Sequence, residues 1–320
     1  MELDAYDKRI IDLLLSDSRR PIAAIARKIR LSKESVYYRV NRLVKTGYIE
    51  NFFTLINASR IGFQYYRIYL KFRLWDEDME RKVVNFLRTQ KSCTDLDILE
   101  GYYNLTFLTM HKDQHELGLF IDELSQNFGL DTVDKSLHLV TKLHVTISDS
   151  QGNTEDKIIV YDSPSIINHD DLDIKILNLL ARDSRIQSVA LSNKLHFNVQ
   201  SIRYHLKKLE KSGIVVGYTA SLGIERFGYF PIQVNFRLSS HKVIPKLLEI
   251  LTQLKTLLWS LETIGKYDLS VKIIVEDMPQ VLSHLEQLRK EIGNDLISYE
   301  LSYVRKHYTI NPSPFQAILT

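Results

Sequence analysis

The sequence predicts an α+β chain of two tandem modules, each a helix-turn-helix, winged-helix-like domain followed by a ferredoxin-like βαββαβ domain. Three observations predict it. The chain repeats itself: at an offset of 166 residues Asp7 falls on Asp173, Asp17-Ser18-Arg19 on Asp183-Ser184-Arg185 and Gly47 on Gly213, with 14 identities among the 44 positions from 7 to 50. After a two-residue deletion the offset is 164, and Phe72-Arg73-Leu74 meets Phe236-Arg237-Leu238, Gly101 meets Gly265 and Tyr103 meets Tyr267. The first third of each copy has capped, helix-periodic apolar positions, whereas the rest alternates strand-like and helix-like segments. A length of 320 residues with 44% hydrophobic and 25% charged residues supplies material for several cores and excludes a disordered or low-complexity chain.

The elements follow in order. Asp4 and Asp7, matched by Asp170 and Asp173, open a first helix whose apolar set is Ile10, Ile11, Leu14 in one copy and Ile176, Leu177, Leu180 in the other. A short second helix carries Ile25 and Ile29, or Leu191 and Leu195. Ser32 and Asn198 are N-caps for a third helix with Val36, Val40, Leu43 or Ile202, Leu206, Leu209 on its apolar face, and Gly47 and Gly213 stand just past its end. Beyond these, RIYLKFRL and IQVNFRL read as strands, helices start near Asp78 and His241, further strands follow around LDILE and LTFLTMH or WSLETI and LSVKIIV, and Asp113 or Asp277 opens a last helix before a final strand. The sheet so formed has one helix-covered face, and the second copy is the expected cover of the other. The boundaries read from these signals are 1–56 and 170–222 for the helical domains, 64–147 and 229–310 for the ferredoxin-like ones, a linker at 148–169 with one short strand, and a tail at 311–320.

Charge points to the partner. The chain is only +3 overall, yet residues 1–50 carry +4 and residues 167–216 carry +3, so the remainder is acidic. Positive charge concentrated on helical segments suits phosphate binding, and double-stranded DNA is the expected partner. On the outer face of the third helix lie Glu34, Tyr38, Asn41, Arg42 and Lys45, beside Ser32 and Lys33 at its start. The second copy presents Gln200, Tyr204, Lys207, Lys208 and Lys211 there, with Asn198 and Arg203 alongside. These side chains are of the kinds that read base edges near a helix start and hold phosphates farther along. The bland alternative is a solvated basic face.

Other chemistry is poorly served. No Gly-rich phosphate loop or nucleophile elbow is present, which argues against NTP hydrolysis and serine-hydrolase chemistry, and the reading is of a non-enzyme without a cofactor. His111 and His115 have i, i+4 spacing but no further ligand motif, so no metal site is assigned. The lone Cys93, the charge-interrupted apolar runs and an acidic N-terminal stretch fit a cytoplasmic chain with no spanning helix and no signal peptide.

Three features together resemble the Lrp/AsnC ("feast/famine") family of transcription regulators: the Leu3-Asp4-x-x-Asp7 opening with its Ile10 and Leu13-Leu14, the Leu31-Ser32 to Gly47-Tyr48-Ile49 pattern, and the Gly-x-Tyr-Asp turn at Gly265 to Asp268. The resemblance covers nearly the whole chain, twice. It implies DNA-binding heads, ligand-responsive domains of the RAM type that pair sheet to sheet, and a small effector, often an amino acid, near the turns containing Gly101 and Asn104 or Gly265, Tyr267 and Asp268. Two departures stand out. Arg30 and His196 replace a usual glycine, and Asn104 replaces the turn's aspartate. The function expected is a sequence-specific transcriptional regulator acting as an intramolecular pseudo-dimer, with further homo-oligomerisation left open. The alternatives are an architectural DNA-binding protein, or a tetrapyrrole enzyme similar to the siroheme decarboxylases, for which Arg67, His138, His144, Arg305 and His307 are the conceivable contacts.

Overall fold

The computed structural model describes residues 3–148, 154–162, 165–254 and 256–310, so the tail expected at 311–320 lies outside the described residues. The first head is α1 (Ala5–Ser16), α2 (Ile22–Ile29), α3 (Lys33–Lys45) and β1 (Ile49–Ile56); the second is α6 (Asp171–Arg182), α7 (Ser188–Leu195), α8 (Val199–Lys211) and β7 (Val215–Leu222). The caps form as their residues dictate. Asp4 with Asp7, and Asp170 with Asp173, make reciprocal capping boxes. Ser32 accepts from the Ser35 amide at 3.1 Å and Asn198 from the Ser201 amide at 2.7 Å. Arg30 and His196, which stand where the resembled family has glycine, both adopt the left-handed conformation, with φ of 60° and 59°.

The heads are built through each other. β1 and β7 pair antiparallel, α1 packs on β7 and α6 on β1, so Ile10, Leu14, Ile25 and Leu43 share a core with Ala220 and Leu222 of the other copy. Buried hydroxyls seal the exchange: Thr54 donates to the Leu180 carbonyl and Thr219 to that of Leu15, each at 2.8 Å. Ser18 meets its own repeat, Ser184, hydroxyl to hydroxyl at 2.6 Å. Arg19 donates to the Ser184 carbonyl and Arg185 to that of Ser18. The sequence reading did not anticipate this ribbon.

The remaining strands are β2 (Gln64–Phe72), β3 (Cys93–Glu100), β4 (Leu105–His111) and β5 (Thr132–Ser148) of the first copy, and β8 (Phe230–Leu238), β9 (Leu257–Ile264), β10 (Leu269–Val275) and β11 (Leu296–Thr309) of the second. They run in the order β2-β4-β3-β11-β8-β10-β9-β5, and β5 also pairs with β2, which closes an eight-stranded antiparallel barrel. β6 (Thr154–Tyr161) adds to β5. The two ferredoxin-like sheets therefore meet edge to edge, at β3–β11 and β5–β9, and their helix-free faces meet across the barrel's interior, the second copy covering the first as expected. Closure gives each of the eight strands a neighbour on both sides, and β6 covers the end of β5 that extends past β2. Outward residues such as Ile68, Phe107, Val234 and Val271 pack under α4 (Glu77–Thr89), α5 (Gln114–Phe128), α9 (Ile244–Gln253) and α10 (Met278–Ile292). Inward residues are largely polar. Tyr69 donates to Asn235 at 2.9 Å and accepts from Gln233 at 2.7 Å in the barrel's interior.

Candidate functional site

The outer faces of α3 and α8 are the first candidate. Their capping residues, apolar stripes and C-terminal glycines turn one face inward, leaving Tyr38 and Tyr204 67% and 66% exposed. Lys33, Glu34, Asn41 and Lys45 are exposed on α3, as are Gln200, Arg203, Lys207 and Lys211 on α8. Tyr37, 61% exposed beside Tyr38, belongs to the same surface and was not singled out from the sequence.

Two residues expected to point outward do not. Arg42 reaches back to Asp7 at 2.6 Å, and Lys208 to Asp173. Asp7 and Asp173 are 1% and 0% exposed, and each also meets a second side chain, Arg39 at 2.8 Å or His205 at 2.7 Å. Burial pushes the Asp173 carboxyl up, but the bonds from Lys208, His205 and the Asp170 amide outweigh it and hold the group below the usual carboxylate range. A helical wheel cannot foresee this, because the attraction comes from a carboxylate about 35 residues away in sequence. Asp170, Asp173 and His205 present ligand atoms within 4.8 Å of one another. Their repeats Asp4, Asp7 and Arg39 cannot bind a cation, and Lys208 already sits on Asp173, so the arrangement is an ion-pair clamp fixing the third helix to the first.

The Gly-x-Tyr-Asp turns are the second candidate. Asp268 accepts from the Leu238 amide at 2.7 Å and faces His241 at 3.1 Å; Asn104 accepts at 2.8 Å from the amide of Phe72, which the strand pairing, two residues out of step with the sequence match, makes the counterpart of Leu238. Amide and carboxylate thus do the same backbone work. The glycines serve the contact between copies: a Cβ on Gly265 would meet His138 Nδ1 at 2.7 Å and the Leu137 carbonyl at 3.1 Å, and one on Gly101 would collide with Ser302. Tyr267 is buried, stacked on His138 at 5.2 Å and 3°, and donates to Glu300 at 2.6 Å. Burial drives His138 down to about 4, so it is neutral near pH 7. His144 lies apart from it, against Glu262 at 3.3 Å. The i, i+4 pair is not one helical face: His111 ends β4, buried, while His115 is exposed on α5.

A cavity of about 1170 Å³ lies between the β1–β7 ribbon and the barrel mouth. Arg67, Arg305 and His307 line it, unlike His138 and His144. Behind its wall Asp97, fully buried, accepts from Arg67, Lys272 and His307, each at 2.8 Å, and Arg67 also bonds Asp95 at 2.7 Å. Burial opposes the Asp97 charge, but Lys272, His307 and Arg67 overcome it and keep the carboxyl well below its ordinary value.

The family model described as "Winged helix-turn-helix DNA-binding" matches twice, at residues 3–50 and 169–216. An uncharacterised HTH-type transcriptional regulator of Pyrococcus horikoshii is 31% identical over 140 residues, which is 43% of this chain and 86% of the regulator. The Bacillus subtilis regulator LrpB is 26% identical over 43% of this chain and 93% of its own length. The chain belongs to the Lrp/AsnC family of HTH-type transcriptional regulators. Each such relative is about one module long, so this member of the Lrp/AsnC family carries in one chain two copies of what those regulators carry once. Among solved structures, the siroheme decarboxylase NirDL shares the architecture across 99% of this chain and 98% of its own, with a TM-score of 0.64 and 11% identity; at that identity the likeness is one of fold. No helix among the described residues is long and apolar enough to cross a membrane.

Proposed function

We propose that this Lrp/AsnC member is a cytoplasmic, sequence-specific transcriptional regulator whose two heads act as an intramolecular pseudo-dimer on double-stranded DNA. One observation carries the reading: the reciprocal β1–β7 ribbon and the Ser18–Ser184 contact hold α3 and α8 as one rigid pair, each with an exposed tyrosine and exposed cations. Fixing two reading helices relative to each other specifies half-site spacing, which a pair of freely tethered heads would not do. Lys33 and Lys45 on one helix, and Arg203, Lys207 and Lys211 on the other, supply phosphate contacts; Glu34, Tyr38, Asn41, Gln200 and Tyr204 face the bases. Arg42 and Lys208 contribute by holding the helices in place. Selection of bound DNA from a random pool tests this: an enriched site with two half-sites supports it, and retention of all sequences alike leaves an architectural protein instead.

An amino-acid effector at the Gly265–Asp268 turn belongs to the same proposal, with Asp268, 25% exposed, as the ammonium-binding group. Such a ligand would have to displace His241. Loss of calorimetric binding in Asp268→Asn would support it.

The cavity favours a second reading. NirDL, whose fold spans this whole chain, has been solved with an iron-uroporphyrin III analogue, and Arg67, Arg305 and His307 line a space here large enough for a tetrapyrrole. A saturable absorbance shift on mixing siroheme with the chain would move the assignment from regulator to enzyme.

A further inference from the structure

The two copies are alike in fold but not in the charge they bury. In the strand pairing the counterparts of Arg67, Asp95 and Asp97 are Gln233, Trp259 and Leu261, and the counterpart of Lys272 is Leu108. The same barrel positions therefore hold a buried ionic cluster on one side and, on the other, one uncharged glutamine among apolar side chains. Both halves fold, so the architecture does not need the cluster. Desolvating such a group of charges costs as much as or more than its internal attractions return, relative to packed apolar residues. Its placement calls for another cause.

The cluster has too many donors for its acceptors. Both Asp97 oxygens are engaged, by Arg67, Lys272 and His307. Arg67 is 1% exposed and its Nε has no acceptor among the described residues. Lys272, 6% exposed, hydrogen-bonds both oxygens of Asp97 and nothing else among the described residues, which leaves one ammonium hydrogen unused. The hydroxyls of Thr146 and Thr256, on the same cavity, are buried without a partner among the described residues. What these donors lack is an acceptor: Glu50, Glu225 and Glu276, which also line the cavity, accept from none of them among the described residues. Beside these donors stands Trp259, its ring 5.3 Å from the Arg67 guanidinium and 5.2 Å from the Lys272 ammonium, and the wall continues through Leu143 and Val145. At about 1170 Å³ the space far exceeds an amino acid and matches or exceeds pockets for drug-sized ligands, roughly 300 to 1,000 Å³.

We infer that this cavity binds a carboxylate carried on a large aromatic or aliphatic body, the carboxylate at Arg67 and Lys272 and the body along Trp259 toward the β1–β7 ribbon. The site is separate from the Gly-x-Tyr-Asp turns. Its roof includes Phe52 and Ala220 of the ribbon that joins the two heads, so an occupant touches both the barrel and the part that sets head spacing. Ligand and DNA are then coupled to the extent that the ligand favours one head arrangement; this last step rests on the regulator reading, whereas the binding site does not.

The test uses the full chain with Trp75→Phe, which leaves Trp259 the one indole of a sequence that has two. Pyrenebutyrate is titrated against its uncharged analogue pyrenebutanol, and energy transfer from Trp259 reports occupancy. Saturable quenching by pyrenebutyrate is expected, weakened at least tenfold in Lys272→Met. Because that variant disturbs a buried cluster, Val145→Phe, which fills the cavity without touching a charge, is measured beside it and is expected to weaken binding as much. No saturable quenching, equal affinity for the alcohol, or unchanged affinity in Val145→Phe overturns the site. Gel-shift titration with saturating pyrenebutyrate reads the coupling. A changed DNA affinity supports it and an unchanged one overturns it. Quenching in a chain that binds no DNA supports the cavity site while overturning the regulator reading and the coupling.

Discussion

Lys207 and Lys208 are neighbours on α8, yet the structure gives them different work, and substituting each separately tests that difference. Lys207 is exposed and is expected to meet a phosphate. Replacing it by Ala should lower the slope of log K against log salt by about 0.9 and weaken all DNA sequences alike, with stability changed by no more than about 0.5 kcal/mol. Lys208 is about one-third exposed and bonds the fully buried Asp173. Removing it strips that carboxylate of its ammonium and leaves His205 and the Asp170 interaction. Breaking a fully buried pair costs about 3–5 kcal/mol, and an exposed one under about 1 kcal/mol; the half-screened geometry here places Lys208→Ala between, at about 1–2 kcal/mol. The sign of the pH dependence follows. Asp173 is depressed in the folded chain, so its stabilisation is present above the unfolded carboxyl pKa and is lost as pH falls through the lower folded value. Lys208→Ala should therefore lose most at neutral pH and converge with the parent in acid. Urea denaturation at pH 7 and at about pH 3, with fluorescence-anisotropy salt titrations on a selected operator, measures both effects. Equal salt slopes for Lys207→Ala and Lys208→Ala, with unchanged stability in the latter, would falsify the clamp.

Other outcomes follow from local geometry. Arg30→Gly and His196→Gly should each stabilise the chain by about 1 kcal/mol in urea melts, since both positions are left-handed and glycine relieves the Cβ clash. Gly265→Ala should cost about 1–3 kcal/mol, because the new methyl meets His138 and the Leu137 carbonyl across the β5–β9 seam; an unaltered melting curve would show that the seam gives way freely. Glu34→Gln should strengthen binding at one half-site only, as its counterpart is already Gln200, so footprinting of the variant on an asymmetric operator should extend protection on a single side.

Local chemistry made much of the molecule legible. Capping boxes at Asp4/Asp7 and Asp170/Asp173, N-caps at Ser32 and Asn198, and glycines after each third helix are decided by neighbours three or four residues away, so a single sequence displays them. The duplication did the rest, because two copies of one pattern separate the residues a fold requires from those it tolerates. The exposed faces of α3 and α8 were readable for the same reason: helical period alone turns Tyr38, Lys45, Tyr204 and Lys207 away from the apolar stripe.

What the tertiary structure decided lies in contacts between residues far apart in the chain. Arg42 and Lys208 look solvent-facing by period, and only the packing of α3 on α1, and of α8 on α6, brings them to a buried carboxylate. The ribbon of β1 and β7, the barrel closed at β3–β11 and β5–β9, and the convergence of Arg67, Asp97, Lys272 and His307 join segments up to about 240 residues apart. Hydrophobic periodicity states which face of a strand is buried, but not which strand lies beside it, since any edge offers the same backbone donors and acceptors. The sequence by itself thus determined the elements, their order and the reading faces, whereas edge pairing between the copies decided that a charged wall and a cavity would exist beside the barrel mouth.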